Sequence, residues 1–342
     1  MTWAPFSRKE LLQVIKKCNN SSSPKPDKLS WRNIKMILKN EDCIFKLINI
    51  ANACIDLGYW SNHFKTSTIV IIPKLNKLSY DTPKYFHPIV LLNTLGKLFK
   101  KMIGKRLQFH SISNNFVYQC QLGGLKHRST IDTGVALTHF IWLGWVKNLS
   151  TSTLAFNIIQ FFLSLNHQFL PLILEKADFD LKVSSFFKNY LVGRKTMYLW
   201  NNFSFSLCNI DVGVGQGSAL SPILSILYLF PIFYILEKWL KILKIPIFIL
   251  SFVDDGLFIS QHKSISVLNA KFFCSYNIVS TFLTNFRLVI EYGKTEVFYF
   301  SRSWGNFDPS SLDLTPLGGS ILLPKYTWRY FSFFFYQKLS FR

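Results

Sequence analysis

The pattern of apolar and polar positions divides the chain into a helix-rich first part and a second part in which strands and helices alternate. Residues 1–58 have helical spacing, interrupted by the polar, proline-containing stretch 19–30, which predicts helices joined by a loop. The β-branched run 67–75 predicts a strand. Residues 88–109 carry apolar residues at helical spacing with Lys and Arg on the other face, which predicts a helix.

Strands predominate beyond residue 150. The apolar run 152–165 predicts a buried strand that leads into a turn, and 168–195 predicts a helical pair that stops at Gly193. Residues 211–224 form a glycine-rich loop that opens a long apolar helix.

The last third of the chain predicts a sheet with one further helix. Residues 246–260 are apolar except for an Asp-Asp-Gly turn, which predicts two strands of a hairpin. A helix is expected at 270–290, a strand at 293–301, and a second hairpin in the tail. This order predicts an α+β fold with an antiparallel sheet backed by helices.

Charge narrows the possible partners. The 342 residues include 39 Lys and Arg but 18 Asp and Glu, a formal net charge of +21. Such an excess favours polyanions, either nucleic acid or an anionic membrane. The six cysteines form no C-x-x-C pair, so a zinc site of that spacing is not expected, and free thiols in a reducing compartment are the simpler interpretation.

The run 219–236 has 18 residues without a charge, long enough for a transmembrane candidate. Two prolines and two serines weaken that reading, and the following "EKWLKILK" has the pattern of a soluble amphipathic helix. We expect a buried core helix, and a membrane span remains the alternative.

Asp254 and Asp255 are adjacent acids inside the apolar stretch 249–260. Buried carboxylates are costly unless they are paired or bind a cation. Enzymes of phosphoryl transfer place such acids around two divalent ions roughly 3.5–4 Å apart. The simpler alternative is an ordinary Asp-Gly turn whose acids face water.

Several segments in fixed order bear on this choice. They are "SPKPDKLS" (23–30), "STIVIIPKLNK" (67–77), "YFHPIVLLNTLGKLFKKMIGKRL" (85–107), "QLGGLKHRSTIDTGVAL" (121–137), "GVGQGSALSPIL" (213–224), "FVDDG" (252–256) and "GKTEVFYFS" (293–301). Together they resemble the reverse transcriptases of non-LTR, LINE-type retrotransposons over nearly the whole chain, and we expect a fungal element. The most specific segment is similar to the family pattern G-x-P-Q-G-S-x-L-S-P-x-L.

The resemblance implies a right-hand polymerase fold. Residues 1–150 would form the fingers and connecting helices, and 151–342 the palm with its acidic and primer-grip hairpins, the thumb being absent or incomplete. The implied activity is RNA-directed DNA synthesis with two Mg²⁺ ions. The implied partners are an RNA template, a DNA primer or RNA–DNA hybrid, and deoxynucleoside triphosphates, in the nucleus or cytoplasm and without stable membrane association.

The resemblance also implies roles for individual residues. Asp254 would ligate metal together with the backbone carbonyl of Ile158, and Asp255 would be the adjacent catalytic acid. Gln216 and Gly217 would line the nucleotide and template pocket.

Three further residues are expected to contact the nucleotide. Phe162 would be the steric gate that excludes a ribose 2′-hydroxyl, Lys294 would lie near the departing pyrophosphate, and Lys74 would contact the triphosphate. Core packing for Phe162 and ordinary solvated lysines are the alternatives.

The chain departs from the family pattern at three places. Asn157 stands where the first catalytic Asp is expected, His87 stands at the position of a phosphate-binding Arg, and Phe331 and Ser332 replace Leu-Gly of the primer grip. A neutral amide cannot replace a carboxylate between two cations. The chain is therefore predicted to be a degenerate, catalytically impaired copy; the alternative is a remnant that binds nucleic acid without catalysis.

Overall fold

The structure is a computed structural model that describes residues 2–20, 27–76, 79–200, 203–215, 217–302, 311–325, 327–331, 333–337 and 339, with the backbone alone at 84 and 87. Its α-helices are α1 (Arg8–Lys16), α2 (Trp31–Ile37), α3 (Glu41–Asp56), α4 (Thr94–Ser113), α5 (Thr130–Val146), α6 (Phe161–Ser164), α7 (Phe169–Lys176), α8 (Leu181–Leu191), α9 (Ser221–Ile242) and α10 (Ile265–Asn285). Its strands are β1 (Thr66–Pro73), β2 (Phe86–Leu91), β3 (Ser150–Asn157), β4 (Arg194–Trp200), β5 (Phe203–Ser204), β6 (Cys208–Ile210), β7 (Phe248–Phe252), β8 (Asp255–His262), β9 (Glu296–Phe300), β10 (Leu312–Asp313), β11 (Ile321–Leu322), β12 (Thr327–Tyr330) and β13 (Phe333–Tyr336).

The chain folds into two compact units that alternate along the sequence. Unit 1 comprises Met1–Phe116 and Phe162–Tyr228, and unit 2 comprises Val117–Phe161 and Leu229–Arg342. The boundary between fingers and palm at residue 150 stays a prediction, since these units are defined by compactness and not by polymerase anatomy.

Unit 1 contains a mixed sheet and most of the N-terminal helices. The strand order is β2-β1-β4-β5, with β6 also paired to β4. Strands β1 and β4 run parallel, and the other pairs are antiparallel. Capping boxes begin two of its helices, Ser7 with Glu10 at α1 and Ser30 with Asn33 at α2.

The helix predicted over 88–109 is wrong at its start. Residues Phe86–Leu91 form β2, which pairs antiparallel with β1, and the helix begins only at Thr94. Pro88 and the β-branched Ile89 and Val90 favour an extended strand, and their apolar run merges in sequence with that of the helix that follows.

Unit 2 is built on a four-stranded antiparallel sheet in the order β7-β8-β3-β9. Because side chains alternate across a strand, Leu257 and Ile259 of β8 point to one face. There they join a core that includes Ile141 of α5 and Trp328 of β12. Helix α10 also packs against β8. The predicted hairpins at 246–260 and in the tail are confirmed.

The long apolar run belongs to α9, the one helix among the described residues with the length and composition to cross a membrane. Most of its apolar window, 61%, is buried within the protein. Leu224, Leu227 and Leu236 are fully buried. This burial is what a core helix requires, and it supports that interpretation of the run.

Candidate active site

The two acids lie at the tip of the β7–β8 hairpin in unit 2. Strand β7 ends at Phe252 and β8 begins at Asp255, so Val253 and Asp254 alone form the turn. On either side, Leu250 and Leu257 pair across the hairpin and are buried. The apolar strands thus anchor a short acidic tip, whose two acids are half-buried.

Asn157 lies beside this acid pair. It is the last residue of β3, directly opposite Asp255 in the antiparallel register. Its Nδ2 donates a hydrogen bond to Oδ1 of Asp255 at 2.7 Å. A hydrogen bond from Asn157 also lowers the pKa of Asp254, against the larger effect of burial. The residue at the position where the family resemblance predicts an acid is therefore in contact with Asp254 and Asp255.

Burial sets the electrostatics of the tip. It raises the pKa of Asp255 to about 6; the Asn157 hydrogen bond opposes this rise, and the charge of Asp254 adds to it. Burial likewise raises the pKa of Asp254, which Lys294 partly offsets. The raised pKa of both carboxyls means that burial disfavours their charged forms more than the neighbouring groups stabilise them.

The end of β3 is held on both sides by backbone hydrogen bonds. The N–H of Ile158 donates to the carbonyl of Asp254 at 3.1 Å, and the N–H of Glu291 donates to the carbonyl of Asn157 at 2.7 Å. Lys294 follows in a short helical turn, where its Nζ lies 2.7 Å from a carboxylate oxygen of Glu291. These contacts bring Asn157, Asp254, Asp255, Ile158 and Lys294 together in unit 2.

Residues with no predicted role of their own also shape the tip. Gly256 lies opposite Phe156, and a Cβ at Gly256 would come within 2.2 Å of Cζ of that ring. Tyr330 of β12 is buried and interacts electrostatically with Asp255. Gln121 bonds directly to the turn, at Val253. Gln121 opens the segment 121–137 that carries part of the family resemblance, but its contact with a backbone N–H 132 positions away depends on the fold and not on a local pattern.

The predicted nucleotide pocket belongs to unit 1. The carbonyl of Phe162 accepts the N–H of Val214 at 2.6 Å, which ties the proposed steric gate to the glycine-rich loop. Arg194 donates to the carbonyl of Gly213 at 2.7 Å and holds the same loop. Phe162 is half-buried, and its role as a steric gate stays a prediction. Gly217 has a left-handed φ of 99° and approaches Val90 of β2.

The remaining predicted contacts are also in unit 1. Lys74 follows β1 and is half-buried; its N–H donates to the carbonyl of Tyr85 at 2.8 Å. The backbone of His87 pairs with Ile72 in the sheet. Gln216, like Ser332 and residues 21–26 of the N-terminal loop, lies outside the described residues.

The donor set of the tip fits a divalent cation incompletely. Asp254 and Asp255 supply hard carboxylate oxygens, which Mg²⁺ prefers, and Asn157 supplies an amide in place of a third carboxylate. Over the described part of the chain, no group of three or more His, Cys, Asp and Glu side chains could hold a metal ion. The tip thus offers two carboxylates, one fewer than the three-acid site that the family resemblance implies.

Comparisons with known proteins show the family and the fold class of the chain. The family described as reverse transcriptase (RNA-dependent DNA polymerase) matches residues 72–333, so the chain belongs to that family. A structure of apo telomerase from Candida tropicalis, truncated from the C-terminal domain, is similar with a TM-score of 0.58 at 13% identity, covering 82% of this chain and 55% of that one. The right-hand polymerase fold is thereby confirmed.

Relatives with similar sequences show which kind of reverse transcriptase the chain resembles. The chain is 25% identical to the "Probable RNA-directed DNA polymerase from transposon X-element" of Drosophila melanogaster, over 67% of this chain and 25% of that protein. It is 26% identical to the RNA-directed DNA polymerase from mobile element jockey of Drosophila funebris, over 64% and 24%. The resemblance to non-LTR retrotransposon reverse transcriptases is confirmed, and the chain spans about a quarter of the length of these relatives. The fungal source stays a prediction.

Proposed function

We propose that the chain forms the polymerase domain of a retrotransposon reverse transcriptase, built for RNA-directed DNA synthesis and impaired in this copy by Asn157. The observation that carries the proposal is the contact of the Asn157 amide with Asp255 at 2.7 Å. It puts a neutral hydrogen-bond donor where the family resemblance expects a metal-binding carboxylate.

Different residues of the chain would have different roles in nucleotide addition. Asp254, Asp255 and the carbonyl of Ile158 would hold Mg²⁺, which neutralises charge on the reacting phosphate oxygens when bound. Phe162 would exclude the 2′-hydroxyl of a ribonucleotide, and Lys294 would stabilise the departing pyrophosphate as a point charge. The net charge of +21 favours binding of the template and primer through their phosphates.

The test is primer extension on an RNA template with deoxynucleotides and Mg²⁺, comparing the unmodified chain with Asn157→Asp. Restoring the carboxylate should raise the rate by on the order of 10³-fold, since one full charge near the reacting phosphates is worth several kcal/mol. Asn277→Asp adds the same charge at an exposed position of α10 and should change nothing.

Each other outcome has a definite meaning. Robust extension by the unmodified chain contradicts the impairment. No extension by Asn157→Asp contradicts the assignment of the defect to that residue. If both chains bind an RNA–DNA hybrid in a salt-dependent way and neither extends it, the non-catalytic binding remnant is the better description.

A further inference from the structure

Gln121 is a buried glutamine whose side chain hydrogen-bonds entirely within unit 2. It is 1% exposed. Its Oε1 accepts the N–H of Val253 at 2.9 Å and the N–H of Gly123 at 3.0 Å, and its Nε2 donates to Oγ of Ser251 at 3.0 Å. Both ends of the amide are therefore satisfied, and two of the three partners belong to the acidic hairpin.

Backbone pairing fixes the position of Gln121 beside the hairpin. It forms a parallel bridge with Ser251 of β7. The N–H of Leu122 donates to the carbonyl of Ser251 at 2.7 Å, and the N–H of Ser251 donates to the carbonyl of Cys120 at 3.0 Å. The segment 120–122 thus adds a short parallel pairing on the outer edge of β7.

The turn that Gln121 contacts is strained. Val253 has φ of 59°, in the left-handed region that a β-branched residue rarely adopts. Two-residue hairpin turns with a positive φ at the first position normally place glycine there. Such a conformation costs about 1–3 kcal/mol and persists only where the surroundings enforce it.

Gly123 allows the close approach that this contact needs. A Cβ at Gly123 would lie 2.7 Å from the backbone nitrogen of Val253 and 2.8 Å from the ring of Phe252. The backbone at Gly123 therefore passes directly against the turn. Two residues earlier, Oε1 of Gln121 accepts the N–H of Val253.

We propose that Gln121 is the positioning residue of the acidic hairpin: it holds Val253 in its left-handed conformation and so fixes the direction of Asp254 and Asp255 towards a divalent cation. The proposal rests on the proposed function for the role of that cation. Gln121 itself would touch neither the cation nor the substrate, and it would act through the backbone of the turn.

The experiment measures Mn²⁺ affinity by electron paramagnetic resonance, without primer or nucleotide, in the full chain carrying Asn157→Asp. In this background Gln121→Met keeps the side-chain volume but removes all three hydrogen bonds. It should weaken Mn²⁺ binding about 10-fold or more, because loss of a group that orients the metal ligands commonly has an effect of this size. The matched control Gln261→Met removes a half-buried glutamine hydrogen bond to Phe140 elsewhere in the same sheet and should leave the affinity unchanged.

A second variant tests whether Gln121 acts through the left-handed conformation of Val253. Val253→Gly can adopt the same φ without strain, so in the Gln121→Met chain it should restore most of the Mn²⁺ affinity, whereas Val253→Ala should not. The proposal is overturned if Gln121→Met lowers the melting temperature but not the Mn²⁺ affinity, or if Val253→Gly fails to rescue it. It is also overturned if the Asn157→Asp chain with Gln121 intact binds no Mn²⁺. Gln121-dependent Mn²⁺ binding without primer extension would keep the positioning role and contradict the polymerase proposal.

Discussion

Lys100 is a cation buried in an aromatic pocket of unit 1. It is 3% exposed, and its Nζ lies 5.2 Å from the ring centroid of Tyr190 and 5.5 Å from that of Trp60. None of the ion pairs formed among the described residues includes it. Its charged neighbour is Arg194, a second buried cation. We therefore expect Lys100 to destabilise the fold.

Lys100→Met tests this by replacing the ammonium with an apolar group of similar length. Exchanging buried ionic groups for well-packed apolar ones gains about 1–4 kcal/mol. The two cation–π contacts stabilise the lysine by about 0.5–1 kcal/mol each, or about 1–2 kcal/mol together, so a net gain of about 1 kcal/mol is expected from the middle of the two ranges. At about 2–4 °C per kcal/mol, the melting temperature should rise by about 2–4 °C.

The pH dependence supplies an independent check on the cause. Burial lowers the pKa of Lys100 below its ordinary 10.5; the charge of Tyr190 and its hydrogen bond with Lys100 oppose this, and Arg194 adds to the lowering. Between the lowered value and 10.5 the unfolded chain binds a proton that the folded chain has released. Stability of the unmodified protein therefore rises with pH in that window. Tyr190 acts in the same direction: burial raises its pKa, but the two cations outweigh this and lower it.

The assay is thermal unfolding followed by circular dichroism from pH 7 to 10, with Lys101→Met as the control. Lys101 is half-buried, and its Nζ lies 5.0 Å from the ring centroid of Trp31, so the same substitution there loses a cation–π contact without relieving a buried charge. The advantage of Lys100→Met should be largest at pH 7 and should shrink towards pH 10. A lower melting temperature for Lys100→Met, or an advantage independent of pH, would refute the reasoning.

The remaining predictions concern the acidic tip. Asp255 has a pKa of about 6 in the fold against 3.8 unfolded, so the folded chain retains a proton between these values, and stability falls as pH rises through that window. Asp255→Asn should then raise the free energy of unfolding above pH 6 in metal-free buffer, by at most about 3 kcal/mol, with little gain at pH 4. Chemical denaturation at the two pH values measures this, and an equal gain at both would contradict the reasoning. Gly256→Ala drives a methyl group into Phe156 and should cost about 1–3 kcal/mol or more in chemical denaturation, whereas Gly293→Ala, with open space around it, should be neutral.

The acidic hairpin was predictable because its information is local. Alternating apolar residues on both sides of Asp-Asp-Gly specify two strands and a tight turn, and the family pattern aligns Asn157 with them. Strand β2 was not predictable, because its apolar residues run directly into those of α4 and only pairing with β1 separates the two. Strand β4 was missed for a related reason, since its partner β1 lies far away in the sequence.

Under the proposed function, Asn157 would have opposite consequences for stability and for catalysis. In the fold as it stands, its amide donates to Asp255 and opposes the rise in pKa that burial causes there. A carboxylate at the same position would add a third negative charge to a tip whose two acids are already incompletely compensated, and without a cation it would destabilise the hairpin. Bound metal would remove that penalty and stabilise the fold in proportion to its concentration relative to its dissociation constant. Asn157 thus lowers the electrostatic cost of keeping both acids without a cation; under the proposed function it does so by removing a charge that two-metal catalysis would use.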